Sequence, residues 1–190
     1  MFKSRLVAYI IDVIIIALVL NIIGVFFTRT DNYKKLNDEL QTLNEKYVNN
    51  EIDTLTFINN QADIAQDLDK EQFLPNILQA FLIIGYFIIL PYCNNGKTLG
   101  KRLFKIKIVS DGELDYNKLI VRALLINGLG YLLIILGTVY ILPSLAYYIL
   151  TTILGIIEFV IFIVSAVMII KNKEQGLHDK LSKTKVISES

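Results

Sequence analysis

Four long apolar segments, separated by polar ones, dominate the hydrophobicity pattern of this 190-residue chain. They cover Leu6–Phe27, Phe73–Tyr92, Leu119–Leu142 and Leu145–Ile170. Each is long enough to cross the hydrocarbon core of a bilayer as a helix, which takes about 20 residues. Pro143 separates the last two segments and predicts a tight turn between them. The pattern therefore predicts an all-α polytopic membrane protein with four transmembrane helices.

The long polar segment Thr28–Gln72 has a helical pattern of its own. Apolar residues recur at helical spacing in both of its halves, at Leu36, Leu40, Leu43 and Tyr47 and then at Leu55, Ile58, Ala62, Ala65 and Leu68. Asn49-Asn50 lies between the two stripes and predicts a turn. We therefore expect a hairpin of two antiparallel helices that continues outward from the first and second spans. The alternative is a solvated, partly disordered acidic loop.

Two shorter polar runs have the alternation that is typical of strands. Lys105–Val109 alternates polar and apolar residues before Asp111-Gly112, which is a strand followed by a turn. Thr184–Ile187 near the end of the chain alternates in the same way. We expect the two runs to pair into a small cytoplasmic β-ribbon.

The distribution of Lys and Arg predicts the orientation of the spans. Thr28–Gln72 carries five basic and ten acidic residues, whereas Asn94–Lys118 carries six Lys or Arg in 25 residues. The tail from Lys171 carries five more basic residues. We therefore expect a multi-pass protein of the cell membrane with both termini in the cytoplasm and the acidic segment outside.

The composition includes few of the side chains that catalytic sites commonly use. There is one cysteine and one histidine, and 54% of the residues are hydrophobic. Gly96-Lys97-Thr98 resembles the end of a phosphate-binding loop, but Pro91 occupies the position where that loop requires glycine. We expect no enzymatic activity, no metal, no cofactor and no nucleic-acid partner. Lys97, Lys101 and Arg102 are instead expected to contact the anionic headgroups of the lipid bilayer.

Asp12 is the only charged residue in the first apolar segment. Arg5 precedes it by seven residues and Ala8 lies between them, so all three share one helix face. A carboxylate inside a membrane helix is costly, and its default interpretation is functional.

Two interpretations of the intramembrane charges remain open. Asp12 pairs with Arg122 of the third span and clamps two helices together, or Asp12 and Glu158 are ion or proton ligands on a permeation path. Glu158 lies near the middle of the fourth span and has no obvious partner in the sequence. Asp179 follows His178 in the tail, where we favour a structural role in capping or ion pairing over catalysis.

Four motifs in this order resemble the RDD family of small prokaryotic membrane proteins. They are Arg5-x-x-Ala8-x-x-x-Asp12, Gly96-Lys97-Thr98-Leu99-Gly100-Lys101-Arg102, Arg122-Ala123 and Leu177-His178-Asp179-Lys180-Leu181-x-x-Thr184. The resemblance implies one membrane domain over residues 1–190, with Arg5, Asp12 and Asp179 as the signature residues. The inserted acidic segment 28–72 and Glu158 depart from the family pattern.

The resemblance and the intramembrane polar groups together favour transport of a small ion or solute. Four helices are few for enclosing a path, so transport implies a homo-oligomer. The alternative is an accessory or regulatory subunit that binds another membrane protein through the outer hairpin.

Overall fold

The computed structural model describes residues 2–27, 30–172 and 175–189. Helices and strands follow one another in this order: α1 (Phe2–Phe27), α2 (Asp31–Val48), α3 (Thr54–Glu71), α4 (Phe73–Ile84), a π-helical turn (Gly85–Ile89), α5 (Leu90–Cys93), α6 (Leu99–Leu103), β1 (Ile106–Ser110), α7 (Tyr116–Ile126), α8 (Leu129–Thr138), α9 (Ser144–Asn172), α10 (Leu177–Leu181) and β2 (Thr184–Ser188). The fold is mostly helical, as predicted.

Among the described residues, three stretches of helix are long and apolar enough to cross a membrane. They are Phe2–Ile22, Phe73–Cys93 and Ser144–Lys171, which correspond to the first, second and fourth predicted spans. The predicted third span, Leu119–Leu142, is wrong as a single helix, because α7 and α8 meet at an angle of 79°. Gly128 produces the break by adopting a left-handed backbone conformation with φ of +73°.

The second span is also irregular, and Pro91 supplies the physical reason. Proline has no N–H to donate, and its ring crowds the carbonyl group four residues earlier. The backbone widens before it, so that the N–H of Leu90 bonds to the carbonyl of Gly85 over a π-helical turn. This turn carries Tyr86 and packs the Phe87 side chain into the core.

The predicted hairpin is present as α2 and α3. Its two helices pack together, and the rings of Tyr47 and Phe57 stack near the tip with centroids 4.2 Å apart. The base of the hairpin is attached to the turn between α8 and α9, where the Gln66 side chain donates to the carbonyls of Val139 and Leu142 at 2.9 and 2.8 Å. The hairpin is therefore fixed to the membrane bundle.

The predicted ribbon is also present. Strands β1 and β2 pair antiparallel, with Ile106 opposite Ser188. Gly96 allows the preceding loop to lie against β1, because a Cβ there would come within 2.0 Å of the Ile108 carbonyl oxygen. By connectivity the ribbon lies at one end of the bundle and the α2–α3 hairpin at the other. We call these ends the ribbon end and the hairpin end.

Candidate functional site

The Asp12 carboxylate is completely buried near the ribbon end and receives four hydrogen bonds. Its Oδ1 accepts from the Tyr86 hydroxyl at 2.6 Å and from the Gly100 backbone N–H at 2.7 Å. Its Oδ2 accepts from the Thr98 hydroxyl at 2.6 Å and from Lys101 Nζ at 3.3 Å. A buried charge is tolerated when it is paired and hydrogen-bonded in this way.

Local structure explains how these donors reach Asp12. The π-helical turn carries Tyr86, and Thr98 caps the N-terminus of α6. Gly100 permits the close approach of α6 to α1, because a Cβ at this position would lie 2.2 Å from the Ala8 carbonyl oxygen. The stripe from Arg5 through Ala8 to Asp12 is thus partly a docking face for α6.

The predicted pair between Asp12 and Arg122 is wrong. Lys101 takes the place of Arg122, because Asp12 faces α6, whereas Arg122 binds Asp179. The same contact corrects the expected role of Lys101 at the membrane surface, because its side chain is buried beside Asp12. Lys97 Nζ lies 2.6 Å from Glu189 Oε1, while Arg102 is exposed. Headgroup contact by Arg102 stays a prediction.

A second buried carboxylate, that of Asp179, forms ion pairs with both Arg5 and Arg122. Arg5 Nη2 donates to Asp179 Oδ2, and Arg122 Nη1 donates to Asp179 Oδ1. The backbone N–H of Gly176 donates to Oδ2 at 3.0 Å. Burial works to raise the pKa of Asp179, but the charges of Arg122 and Arg5, together with His178, outweigh it and hold the pKa well below its usual range. Asp179 therefore acts as a permanent anion that joins α1, α7 and α10.

His178 completes this cluster as a neutral ring. Its Nε2 lies 3.2 Å from Arg122 Nη2 and 3.4 Å from Asp179 Oδ1, so it accepts from the guanidinium group in one neutral tautomer and donates to the carboxylate in the other. Its Nδ1 is buried and has no hydrogen-bond partner among the described residues. Burial lowers the pKa of His178 to about 4, and the charge of Arg122 acts in the same direction.

This lowered pKa predicts that the protein loses stability in mild acid. An unfolded histidine takes up a proton near pH 6.5, whereas folded His178 resists protonation until about pH 4. The unfolded state therefore binds more protons in this window, and the free energy of unfolding should fall by about 2 kcal/mol between pH 7 and pH 5. Unfolding of the detergent-solubilised protein at both pH values measures the change.

His178→Gln is the matched control for the pH experiment. Glutamine offers an acceptor to Arg122 but does not titrate, and the chain has no other histidine. We expect the loss of stability between pH 7 and pH 5 to shrink to less than half in this variant. If the free energy of unfolding falls as much in His178→Gln as in the wild type, His178 is not the group that causes the loss of stability.

Glu158 lies at the break between α7 and α8. Its Oε1 accepts the backbone N–H of Tyr131, in the first turn of α8, at 3.1 Å. On the other side of the break, the Tyr9 hydroxyl donates to the carbonyl of Ile126, at the end of α7, at 3.0 Å. Side chains from α9 and α1 thus provide hydrogen bonds to backbone groups that lose their partners where the helix is broken.

A polar stripe that the sequence analysis missed runs along the same face of α9. Thr151, Glu158 and Ser165 are spaced by seven residues, and Tyr147 precedes Thr151 by four. The Tyr147 hydroxyl donates to Asp69 of α3 at 2.6 Å, and Ser165 accepts the backbone N–H of His178 at 3.4 Å. The seven-residue spacing within the apolar run was the available signal. The stripe connects the hairpin end with the ribbon end.

The structure thus places the candidate residues in separate groups. Arg5 and Asp179 meet at the ribbon end, Asp12 of α1 lies beside them against α6, and Glu158 lies at the helix break. The chain matches the RDD family model over residues 2–183. Comparisons with curated proteins and with solved structures give no match. Because the family match covers nearly all of the 190 residues, this membrane protein belongs to the RDD family.

Proposed function

We propose that this protein transports a small cation or protons across the membrane, with Glu158 as the carboxylate that binds and releases the charge. The observation that carries the proposal is the position of Glu158 at the break between α7 and α8. Transporters commonly build ion sites where a membrane helix is interrupted, because helix ends and unwound backbone can face the ion there.

Glu158 suits this role better than Asp12. Four donors, one of them Lys101 Nζ, surround the Asp12 carboxylate and occupy both of its oxygens. Glu158 Oε1 accepts one backbone N–H, and its Oε2 makes no hydrogen bond within the described part of the chain. The second oxygen is therefore open to a cation or a proton.

The polar stripe on α9 supports a path to and from Glu158. Thr151 and Ser165 lie one heptad before and after it on the same buried face. The charge distribution supports an orientation in the cell membrane with the ribbon end and both termini in the cytoplasm and the hairpin outside. Three or four spans enclose little space, so we expect a homo-oligomer to complete the path.

Flux through the Glu158→Gln variant tests the proposal. Glutamine has nearly the same shape and still offers an oxygen to the Tyr131 N–H, but it cannot carry the charge. We expect ion-gradient-driven flux into proteoliposomes to fall at least about tenfold, as loss of a charged ligand costs more than 1.4 kcal/mol. Thermal unfolding of the variant should stay close to that of the wild type.

The matched control is Glu113→Gln, the same substitution at an exposed residue outside the spans. It should leave flux unchanged. Unaltered flux in Glu158→Gln would overturn the role of Glu158, and wild-type flux equal to that of empty liposomes would overturn transport itself. The second outcome would favour an accessory subunit that docks through the hairpin tip, where Val48 and Leu55 expose apolar side chains.

A further inference from the structure

A cavity of about 90 Å³ lies at the ribbon end, between α1, α7, α9 and the ribbon. Its charged wall residues are all cations, namely Arg5, Lys101 and Arg122. Within the described ranges no Asp or Glu contributes to this wall, because Asp12 and Asp179 lie behind the cations that they bind. Because these three cations share two carboxylates, the five side chains together carry one positive charge in excess.

The wall also contains a histidine with a buried nitrogen that lacks a hydrogen-bond partner. His178 is 2% exposed, and its Nδ1 is the nitrogen for which the described chain provides no hydrogen-bond partner. Leaving a buried polar group unpaired is unfavourable. An anionic acceptor beside Lys101, Arg122 and His178 would balance this excess charge, and it would accept from Nδ1 in the tautomer that carries the proton there.

The side of the cavity wall that faces the lipid is apolar. Leu6 of α1 and Phe162 of α9 line the cavity, and their side chains are 41% and 39% exposed on helices that span the membrane. The space holds a carboxylate or phosphate group but is far smaller than the 300–1,000 Å³ that a drug-sized ligand occupies. An apolar chain attached to the anion would therefore leave the cavity sideways, between α1 and α9.

We propose that this cavity binds the anionic headgroup of a lipid, with the headgroup at Lys101, Arg122 and His178 and its acyl chain passing between Leu6 and Phe162. The site is separate from Glu158, and it does not depend on ion transport. It differs from surface attraction of headgroups because the cations that form it are buried inside the bundle.

Binding of four probes to the purified protein tests the proposal. The probes are oleate, oleyl alcohol with the same chain and no charge, phosphatidylglycerol, and inorganic phosphate with charge and no chain. Native mass spectrometry from a neutral detergent counts bound molecules, and thermal unfolding measures their effect. We expect oleate or phosphatidylglycerol to bind at least about tenfold more tightly than oleyl alcohol and inorganic phosphate, since charge-assisted hydrogen bonds contribute about 1.5–3 kcal/mol.

The variant Ala166→Phe places a ring in the cavity wall without removing any charge. It should abolish lipid binding, whereas Ala146→Phe, on the exposed face of the same helix, should preserve it. Oleate binding alone identifies a fatty-acid site, and phosphatidylglycerol binding identifies a phospholipid site.

Three results would overturn the proposal. They are equal binding of oleyl alcohol, equal binding of inorganic phosphate, and undiminished lipid binding by folded Ala166→Phe. If Ala166→Phe does not fold, the comparison of the four probes on the wild-type protein decides alone.

Discussion

Asp179→Asn is expected to lower the free energy of unfolding by about 4 kcal/mol, which is the range observed when one partner of a buried ion pair is removed. Asparagine keeps the size of the side chain and an acceptor for the Gly176 N–H. It removes the negative charge that Arg5 and Arg122 share, and both arginines are themselves buried. Unfolding of the solubilised protein by heat or by sodium dodecyl sulfate measures the loss.

The same substitution at Asp111 is the control for Asp179→Asn. Asp111 is also in an ion pair, 3.8 Å from Lys185 Nζ, but its side chain is exposed to solvent. Exposed pairs contribute about 0–1 kcal/mol, so Asp111→Asn should change stability little. Similar stabilities for the two variants would show that the buried cluster does not hold the ribbon end together.

Gly100→Ala is expected to have the second-largest effect, a loss of about 3 kcal/mol. The new methyl group would meet the Ala8 carbonyl oxygen and, 2.8 Å away, Asp12 Oδ1. One of these atoms belongs to the backbone of a membrane helix, so α6 has to move away from α1. Overpacking of a tight contact costs about 1–3 kcal/mol, and the displaced α6 would also weaken its hydrogen bond to Asp12.

Gly137→Ala separates this clash from a general effect of replacing glycine. A Cβ at Gly137 in α8 meets no atom within 4 Å in the described structure. Because alanine favours the helix over glycine, this control should be neutral or stabilising by about 0.5–1 kcal/mol. A Gly100→Ala protein as stable as the Gly137→Ala protein would contradict the close packing of α6 on α1.

Hydrophobic periodicity predicted the helices and the ribbon because these features depend on neighbouring residues. The break at Gly128 was missed because the leucines and isoleucines around Asn127-Gly128 keep the average hydrophobicity high. Composition over a 20-residue window cannot detect a single residue with positive φ.

The partners of the charged residues were harder to predict than their positions. Helical spacing placed Arg5, Ala8 and Asp12 on one face, and the structure agrees. It could not show that this face meets α6 and α10, because Asp179 lies 174 residues after Arg5 in the sequence. For the same reason, Lys101 resembled an ordinary surface lysine until the position of Asp12 was known.

The distance along the chain between Arg5 and Asp179 also constrains biosynthesis. The carboxylate that Arg5 shares with Arg122 is synthesised 174 residues after Arg5. The first span must therefore enter the membrane long before its final ion pair can form. A nascent chain that ends after α9 contains the candidate spans found in the described residues but lacks Asp179, so translation must pass residue 179 before the bundle can reach its final packing.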